Sequence, residues 1–251
     1  MKHKLSTYCL IGFSMMSFSV NNNASEIGVG INVERSLYYS KDRIMTSPFL
    51  ELDLSLGNFY MRGTAGIGKI GYEQPLTDNL NAELFVTPFD GFPIKAKDLL
   101  PEYQSIKERK TQFTVGGGFN YYSDKWNAGI SLEGKSGKRG ASGNMTLIKV
   151  FPVTERFAIS PYISATYYSS QYTRYYFGIK KSELGGNIKS VYKPKSAYST
   201  SIGINTDYAV TKHLGIGVSV GWDKYSEQIK KSPIIKKDSQ IISSFSLYYT
   251  F

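Results

Sequence analysis

The sequence predicts an all-β fold: a transmembrane, antiparallel, up-and-down β-barrel of about twelve strands over residues 25–251, behind a cleaved signal peptide over 1–24. Three observations predict it. Apolar residues recur at every second position along most of the chain, which is the period of a strand with one wet and one dry face. Several alternating runs, such as 111–122, 157–168 and 196–208, exceed the roughly 5–6 residues of an average soluble strand and reach the ~9–11 that a tilted membrane strand needs. The polar face of these runs is small (Gly, Ser, Thr, Asn), which suits a barrel lumen. A soluble sandwich with a dry interior alternates in the same way, and strand length separates the two.

Composition agrees. The 251 residues carry 30 Lys+Arg against 20 Asp+Glu, for a net charge of +10, with 20 Tyr, 14 Phe and 24 Gly but 2 His and 1 Cys. Mean hydropathy is −0.26. No stretch approaches the ~20 consecutive apolar residues of a helical span, and the wealth of aromatic and β-branched residues excludes disorder.

Taken in order, Lys2, His3 and Lys4 precede an apolar run over 5–20 and a polar stretch over 21–25, the layout of a secretory signal. Cleavage is expected after Ser19 or Ala24. Cys9 falls inside the signal, so the mature chain has no thiol and no Cys–metal site, and its charge drops to about +8.

Strands follow. Ile27, Val29, Ile31 and Val33 alternate with polar or small residues; so do Leu50, Leu52, Leu54 and Leu56. The segments 59–64 and 67–72 read as two short strands, and the count becomes ten if the Gly63–Gly66 corner is instead a kink in one long strand. Trp126, Ala128, Ile130 and Leu132 form another dry face, then Leu214, Ile216, Val218, Val220 and Trp222, and last Ile241, Phe245, Leu247, Tyr249 and Phe251. Tyrosine pairs at 38–39, 121–122, 167–168 and 248–249, with 175–177, suggest interfacial girdles. Short turns at 57–58, 77–79, 123–125, 152–155 and 210–212 are assigned to the periplasm. Longer connections near 35–46, 89–108, 135–141, 169–195 and 224–237 are assigned to the outside. Phe251 closes an aromatic strand in the manner of an outer-membrane assembly signal.

The polar face carries the candidate site. Glu34, Glu51, Asp53, Glu83, Glu133 and Asp207 are expected to line the lumen, with Arg62 and Lys135 opposing them, because a cation facing lipid at the midplane costs about 2–4 kcal/mol. Two interiors are compatible with this: a water-filled bore biased toward cations, or a narrow bore filled by side chains in which Arg62 neutralises Glu51 or Asp53. The filled bore is preferred. Lys180, Lys181, Lys189, Lys193 and Lys195 in one loop, opposed there by Glu183, and Lys224, Lys230, Lys231, Lys236 and Lys237 in another, opposed by Asp223, Glu227 and Asp238, are candidate contacts for lipopolysaccharide phosphates or host anionic glycans. Catalysis is not expected. The mature chain has one histidine, His213, beside a turn, and neither a zinc set nor an EF-hand spacing. The glycines at 116–118 and at 215 and 217 lie in strands, with no helix following to make a phosphate cradle.

Several segments resemble one family. Gly57-Asn58-Phe59-Tyr60-Met61-Arg62-Gly63 is similar to its GRFFxRG stretch. Gly71-Tyr72 with Leu76-Thr77-Asp78-Asn79-Leu80, Tyr175-Tyr176-Phe177-Gly178-Ile179 with Ser182, and the C-terminal block from Ser232-Pro233-Ile234-Ile235 to Tyr248-Tyr249-Thr250-Phe251 follow in family order. The mature chain thereby resembles the MipA/OmpV outer-membrane proteins. It departs after Ser182, where Leu184-Gly185-Gly186-Asn187 replaces the family's Gly-Leu-Pro-x-Tyr. The resemblance implies an outer-membrane barrel, and its founding member is a scaffold between a murein transglycosylase and a murein synthase; the expected protein is such a scaffold, without cofactor and monomeric or weakly associating. The alternatives are a small-solute porin with an acidic lumen or a surface adhesin acting through basic loops. Nucleic acid is not an expected partner.

Overall fold

A computed structural model describes residues 25–64 and 68–251. The signal peptide and its cleavage site, with the corner at 65–67, lie outside the described residues. The strands are β1 (Glu26–Arg35), β2 (Ile44–Leu56), β3 (Phe59–Thr64), β4 (Lys69–Pro75), β5 (Leu80–Asp90), β6 (Gln112–Ser123) and β7 (Ala128–Gly137). Then come β8 (Gly140–Lys149), β9 (Phe151–Thr154), β10 (Phe157–Tyr168), β11 (Ala197–Ala209), β12 (Leu214–Tyr225) and β13 (Ser239–Thr250). Each pairs antiparallel with its neighbours, and β13 returns to β1, with Glu26 opposite Thr250, to close the sheet. Closure leaves no open edge, as a β-structure in lipid requires.

The barrel has twelve strands around its circumference, because β8 and β9 are two pieces of one ribbon. β10 pairs with β8 up to Tyr162↔Ile148 and with β9 from Ile159↔Phe151. The break at Val150 lies across from Ser160, next to Pro161, which has no N–H to offer the ladder. β3 and β4 are separate strands, joined at Arg62↔Lys69, so the larger count is correct.

The connections β2–β3, β4–β5, β6–β7, β9–β10 and β11–β12 are short and share one end, the periplasmic one. At the other end, the expected loop over 135–141 is absent. β7 and β8 run on to Gly137 and Gly140 and are joined by Lys138 and Arg139 alone, so Lys135 is a strand residue.

Alternation decides what faces lipid. Ile130 and Val218 are 36% and 38% exposed and Trp222 43%, and the outward residues of β1, β6, β11 and β13 are exposed likewise. The dry half of each strand therefore lies outside. Inside, five aromatic rings lie over glycines directly opposite on the neighbouring strand: Phe49 on Gly30, Tyr60 on Gly71, Phe85 on Gly116, Tyr162 on Gly203 and Tyr248 on Gly215. A Cβ at any of these glycines would collide with the ring. The glycines of the wet face thus make room for rings that fill the bore.

Candidate functional site

The lumen has two unlike walls. On the β2–β7 side, carboxylates are matched by cations. Arg62 spans Asp53 (3.3 Å) and Glu73 (2.8 Å), Lys69 bridges Glu83 (3.1 Å) and Glu133 (2.6 Å), and Lys135 holds Asp90 at 2.6 Å. The Tyr60 hydroxyl donates to Glu83, Asn81 to Glu73 (2.9 Å) and Gln112 to Asp90 (3.1 Å). Rings complete the seats: the Arg62 guanidinium lies 4.6 Å from the centre of Tyr60, and the Lys69 ammonium 4.7 Å from that of Phe85.

Across the bore, Glu26, Glu34, Glu51, Asp207 and Asp223 make no ion pair among the described residues. Glu34 accepts from the Gln240 amide at 3.2 Å and Glu26 from the Thr250 hydroxyl at 3.1 Å. Carboxylates outnumber cations in the lumen, so its potential is negative.

All of the carboxylates expected inside lie on inward positions; of the two partners expected for Arg62 it takes Asp53, together with Glu73, and Glu51 has no ion pair among the described residues. Sequence reading missed Lys69 and Glu73. The alternation of Lys69, Gly71 and Glu73 against Ile70 and Tyr72 carried that signal. Removing the Lys69 ammonium leaves Glu83 and Glu133 facing each other in a half-dry wall. Lys69→Met is therefore expected to cost about 3 kcal/mol of barrel stability, read from urea unfolding in vesicles, and Glu83→Gln in the same chain to restore part of it. An unchanged midpoint in the single variant would show that water already screens the pair.

The outer mouth carries a second structure that sequence reading missed. Four loops, 36–43, 91–111, 169–196 and 226–238, pack on one another over the bore. They contribute Leu37, Phe92, Ile94, Leu99, Tyr172, Tyr176, Phe177, Ile179, Ile229 and Ile234 to one apolar core. Helix α1 (Ser170–Tyr176), with the Ser169 side chain accepting from the Tyr172 N–H, and helix α2 (Glu227–Lys230) supply part of it. Phe92 is the hub, with ring centroids of Tyr168, Tyr172, Tyr176, Phe177 and Tyr225 between 5.0 and 6.4 Å away. Gly91 precedes it at φ +121°, and a side chain there would run into the Tyr176 hydroxyl. Tyr38, Tyr168, Tyr176 and Phe177, expected in girdles, are buried in this cap instead. Packing on other loops removes more of their apolar area from water than the membrane interface could. Tyr121, Tyr167 and Tyr249 do face outward.

A buried ion pair locks two of these loops. Arg109 donates to Glu183 at 2.6 Å and to the Gly178 carbonyl at 2.9 Å. Glu183 also accepts from the backbone N–H of Lys107 (2.9 Å) and Lys180 (2.8 Å). The Glu183 side chain is fully buried. Burial pushes its carboxyl up, but the Arg109 hydrogen bond and the two backbone N–H groups outweigh this and hold it below the usual value of 4.5. A depressed folded value means the contribution is complete above about pH 4.5 and fades as pH falls through the lowered value. Proteolysis of the cap is thus expected to be constant from neutral pH down to the usual carboxylate value of 4.5 and to accelerate only below it; acceleration between pH 6 and 7 would contradict this.

The tyrosine-rich family motif is a structural part of the cap. The Tyr176 hydroxyl donates to the carbonyls of Asp90 and Lys110, and the Phe177 carbonyl accepts from Ser232. The departure at Leu184-Gly185-Gly186-Asn187 makes a tight turn with Gly186 at φ +54°, docked by Asn187 N–H on the Glu102 carbonyl at 2.8 Å. The candidate anion contacts Lys180, Lys181, Lys189, Lys193, Lys195, Lys230, Lys231, Lys236 and Lys237 are all exposed on the cap, where Lys230 and Lys231 pair with Glu227. His213 stands exposed at a periplasmic turn, with Nδ1 3.0 Å from the Thr250 carbonyl.

A closed barrel that is apolar outside and charged within defines an integral outer-membrane protein. The chain belongs to the family described as MltA-interacting protein MipA, which it matches over residues 27–251. It is 49% identical to the "24 kDa outer membrane protein" of Pasteurella multocida (strain Pm70), over all of this chain (100%) and 99% of that one. It is 21% identical to the "Putative outer membrane protein YiaT" of Escherichia coli (strain K12), over 91% of this chain and 92% of the relative. Among solved structures, a NanC porin aligns with TM-score 0.49 at 9% identity, covering 90% of this chain and 100% of that one. A KdgM porin aligns at 0.47 and 10%, covering 89% and 99%.

Proposed function

We propose that this protein is a non-conducting outer-membrane scaffold that presents its periplasmic turns to a murein transglycosylase, the kind of partner for which its family is named. The packed cap supports this reading. A barrel whose outer mouth is closed by its own apolar core, and whose bore is filled by rings and ion pairs, is poorly suited to free diffusion of solutes. The short turns at the other end are left as the surface for a soluble or lipid-anchored enzyme. A photoreactive residue at Asp78, Lys125 or Lys212, all exposed in those turns, is expected to cross-link in cells to a murein transglycosylase, while the same group at Lys189 on the cap does not. Cross-links confined to lipid or lipopolysaccharide at all four positions would overturn it.

A second reading, a cation-selective path that opens when the cap lifts, is favoured by the unpaired carboxylates Glu26, Glu51 and Asp207. Under that reading, Glu51→Lys weakens or inverts cation preference in a chain whose cap has been opened by mutation, and unchanged selectivity removes it.

A further inference from the structure

The outside of the barrel is not uniformly smooth. A groove of about 400 Å3 crosses the lipid face between β10 and β13, walled by Ile202, Ile204, Val220, Trp222 and Ile241, with the Gly203–Gly221 backbone pair at its floor. Its lining is almost wholly apolar. Trp222 and Ile241 lie opposite each other near the outer ends of β12 and β13, so the groove runs from the middle of the membrane toward the external rim.

At that rim the outward series of two strands changes character. On β12, Val218, Val220 and Trp222 are followed on the same face by Lys224. On β1, Ile27, Val29, Ile31 and Val33 are followed by Arg35. Strand β13 lies between β12 and β1, so the two cations flank the strand that carries Ile241. Lys224 stands about 7 Å beyond Trp222 along the strand. Both cations are exposed; Arg35 makes no ion pair among the described residues, while Lys224 is held by Asp238 at 2.6 Å. Exposed Lys236 and Lys237 follow in the adjoining loop. At the periplasmic end the same strand faces finish in Leu214, Ile27 and Tyr249, with exposed Lys212 beyond Leu214 in the β11–β12 turn.

An apolar slot topped by cations at one membrane surface matches an amphiphile with an anionic head and hydrocarbon chains. The outer leaflet offers lipid A, whose sugar phosphates sit directly above its acyl chains, and the groove runs toward Arg35 and Lys224 on that side. We propose that this groove binds one lipid A molecule, with an acyl chain between Ile202, Val220, Trp222 and Ile241 and a phosphate on Arg35 and Lys224. The groove and Arg35 lie outside the basic loops of the cap, and the site does not depend on what the periplasmic turns bind.

The test is a titration of the full mature chain in detergent micelles, by native mass spectrometry, with hexa-acyl lipid A, dephosphorylated lipid A and phosphatidylglycerol. One lipid A per chain is expected, bound more tightly than either of the others. Each cation near the surface contributes about 1 kcal/mol, so Arg35→Ser is expected to weaken lipid A binding about five-fold, and Arg35→Ser with Lys224→Ser about 25-fold. Asp238→Asn, which frees Lys224, is expected to tighten it. Val220→Trp, which fills the slot, is expected to weaken phosphorylated and dephosphorylated lipid A alike. Heat-modifiable gel mobility reports folding of each variant. Arg35→Ser removes no ion pair, so it remains decisive if the double variant does not fold. Equal affinity for phosphatidylglycerol and lipid A, or unchanged binding in Arg35→Ser, would overturn the proposal.

Discussion

Arg109→Ala is expected to open the cap while leaving the barrel intact. The guanidinium stands against a fully buried Glu183 and also satisfies the Gly178 carbonyl, so its loss strands a charge and an acceptor in a dry place. Breaking a buried pair from one side costs about 3–5 kcal/mol. That exceeds what an autonomous set of surface loops has in reserve, so the loops over 91–111 and 169–196 are expected to become protease-sensitive. The strands, held by a closed ladder, keep their heat-modifiable mobility. Glu183→Gln is the informative companion. It keeps one of the two acceptor oxygens that serve the Lys107 and Lys180 N–H groups, sets an amide NH2 against the other donor and leaves the Arg109 charge unpaired, and a substantial loss is expected. If Arg109→Ala resists protease like the native chain, the pair is not what holds the loops together.

Phe92→Ala attacks the same cap without touching charge. The ring meets five others contributed by β10, α1, the residue after α1, and β12, so truncation leaves a cavity that no single neighbour can fill. Phenylalanine truncation in a core costs about 3–5 kcal/mol. Near-ultraviolet dichroism of the buried tyrosines is expected to fall sharply, with little change in the far-ultraviolet strand signal. Phe92→Leu, which refills most of the volume, is expected to recover much of it. Equal effects of Leu and Ala would mean that the rings are not packed as a core.

Both results concern the part of the molecule that the sequence concealed. Membrane strands advertise themselves because one solvent boundary runs along each strand: Ile27 to Val33 and Leu214 to Trp222 alternate because lipid is on one side and the bore on the other. The cap has no such boundary. Phe92, Ile94, Leu99 and Ile106 follow no period, and Arg109 finds Glu183 74 residues away, so neither residue carries a local mark of the pair. Glu183 read as a minor counter-charge in a basic loop, and only the fold shows it at the centre. Other misses had a visible signal. Lys138 and Arg139 stand between Gly137 and Gly140, and two residues bracketed by glycines between alternating runs are a hairpin turn. The charge set in the bore was legible from parity, but most partners were not, because pairing along the wall depends on strand register and on the reach of side chains over intervening strands.

Conductance in planar bilayers tests the central claim, that an outer mouth closed by packed loops sits over a negatively charged bore. The native chain, inserted at neutral pH, is expected to be electrically silent, and Arg109→Ala to give discrete steps that reverse at a cation-selective potential in a salt gradient. Discrete, long-lived steps from the native chain with the cap demonstrably folded would contradict the closed mouth, and anion preference in the opened variant would contradict the charge of the bore.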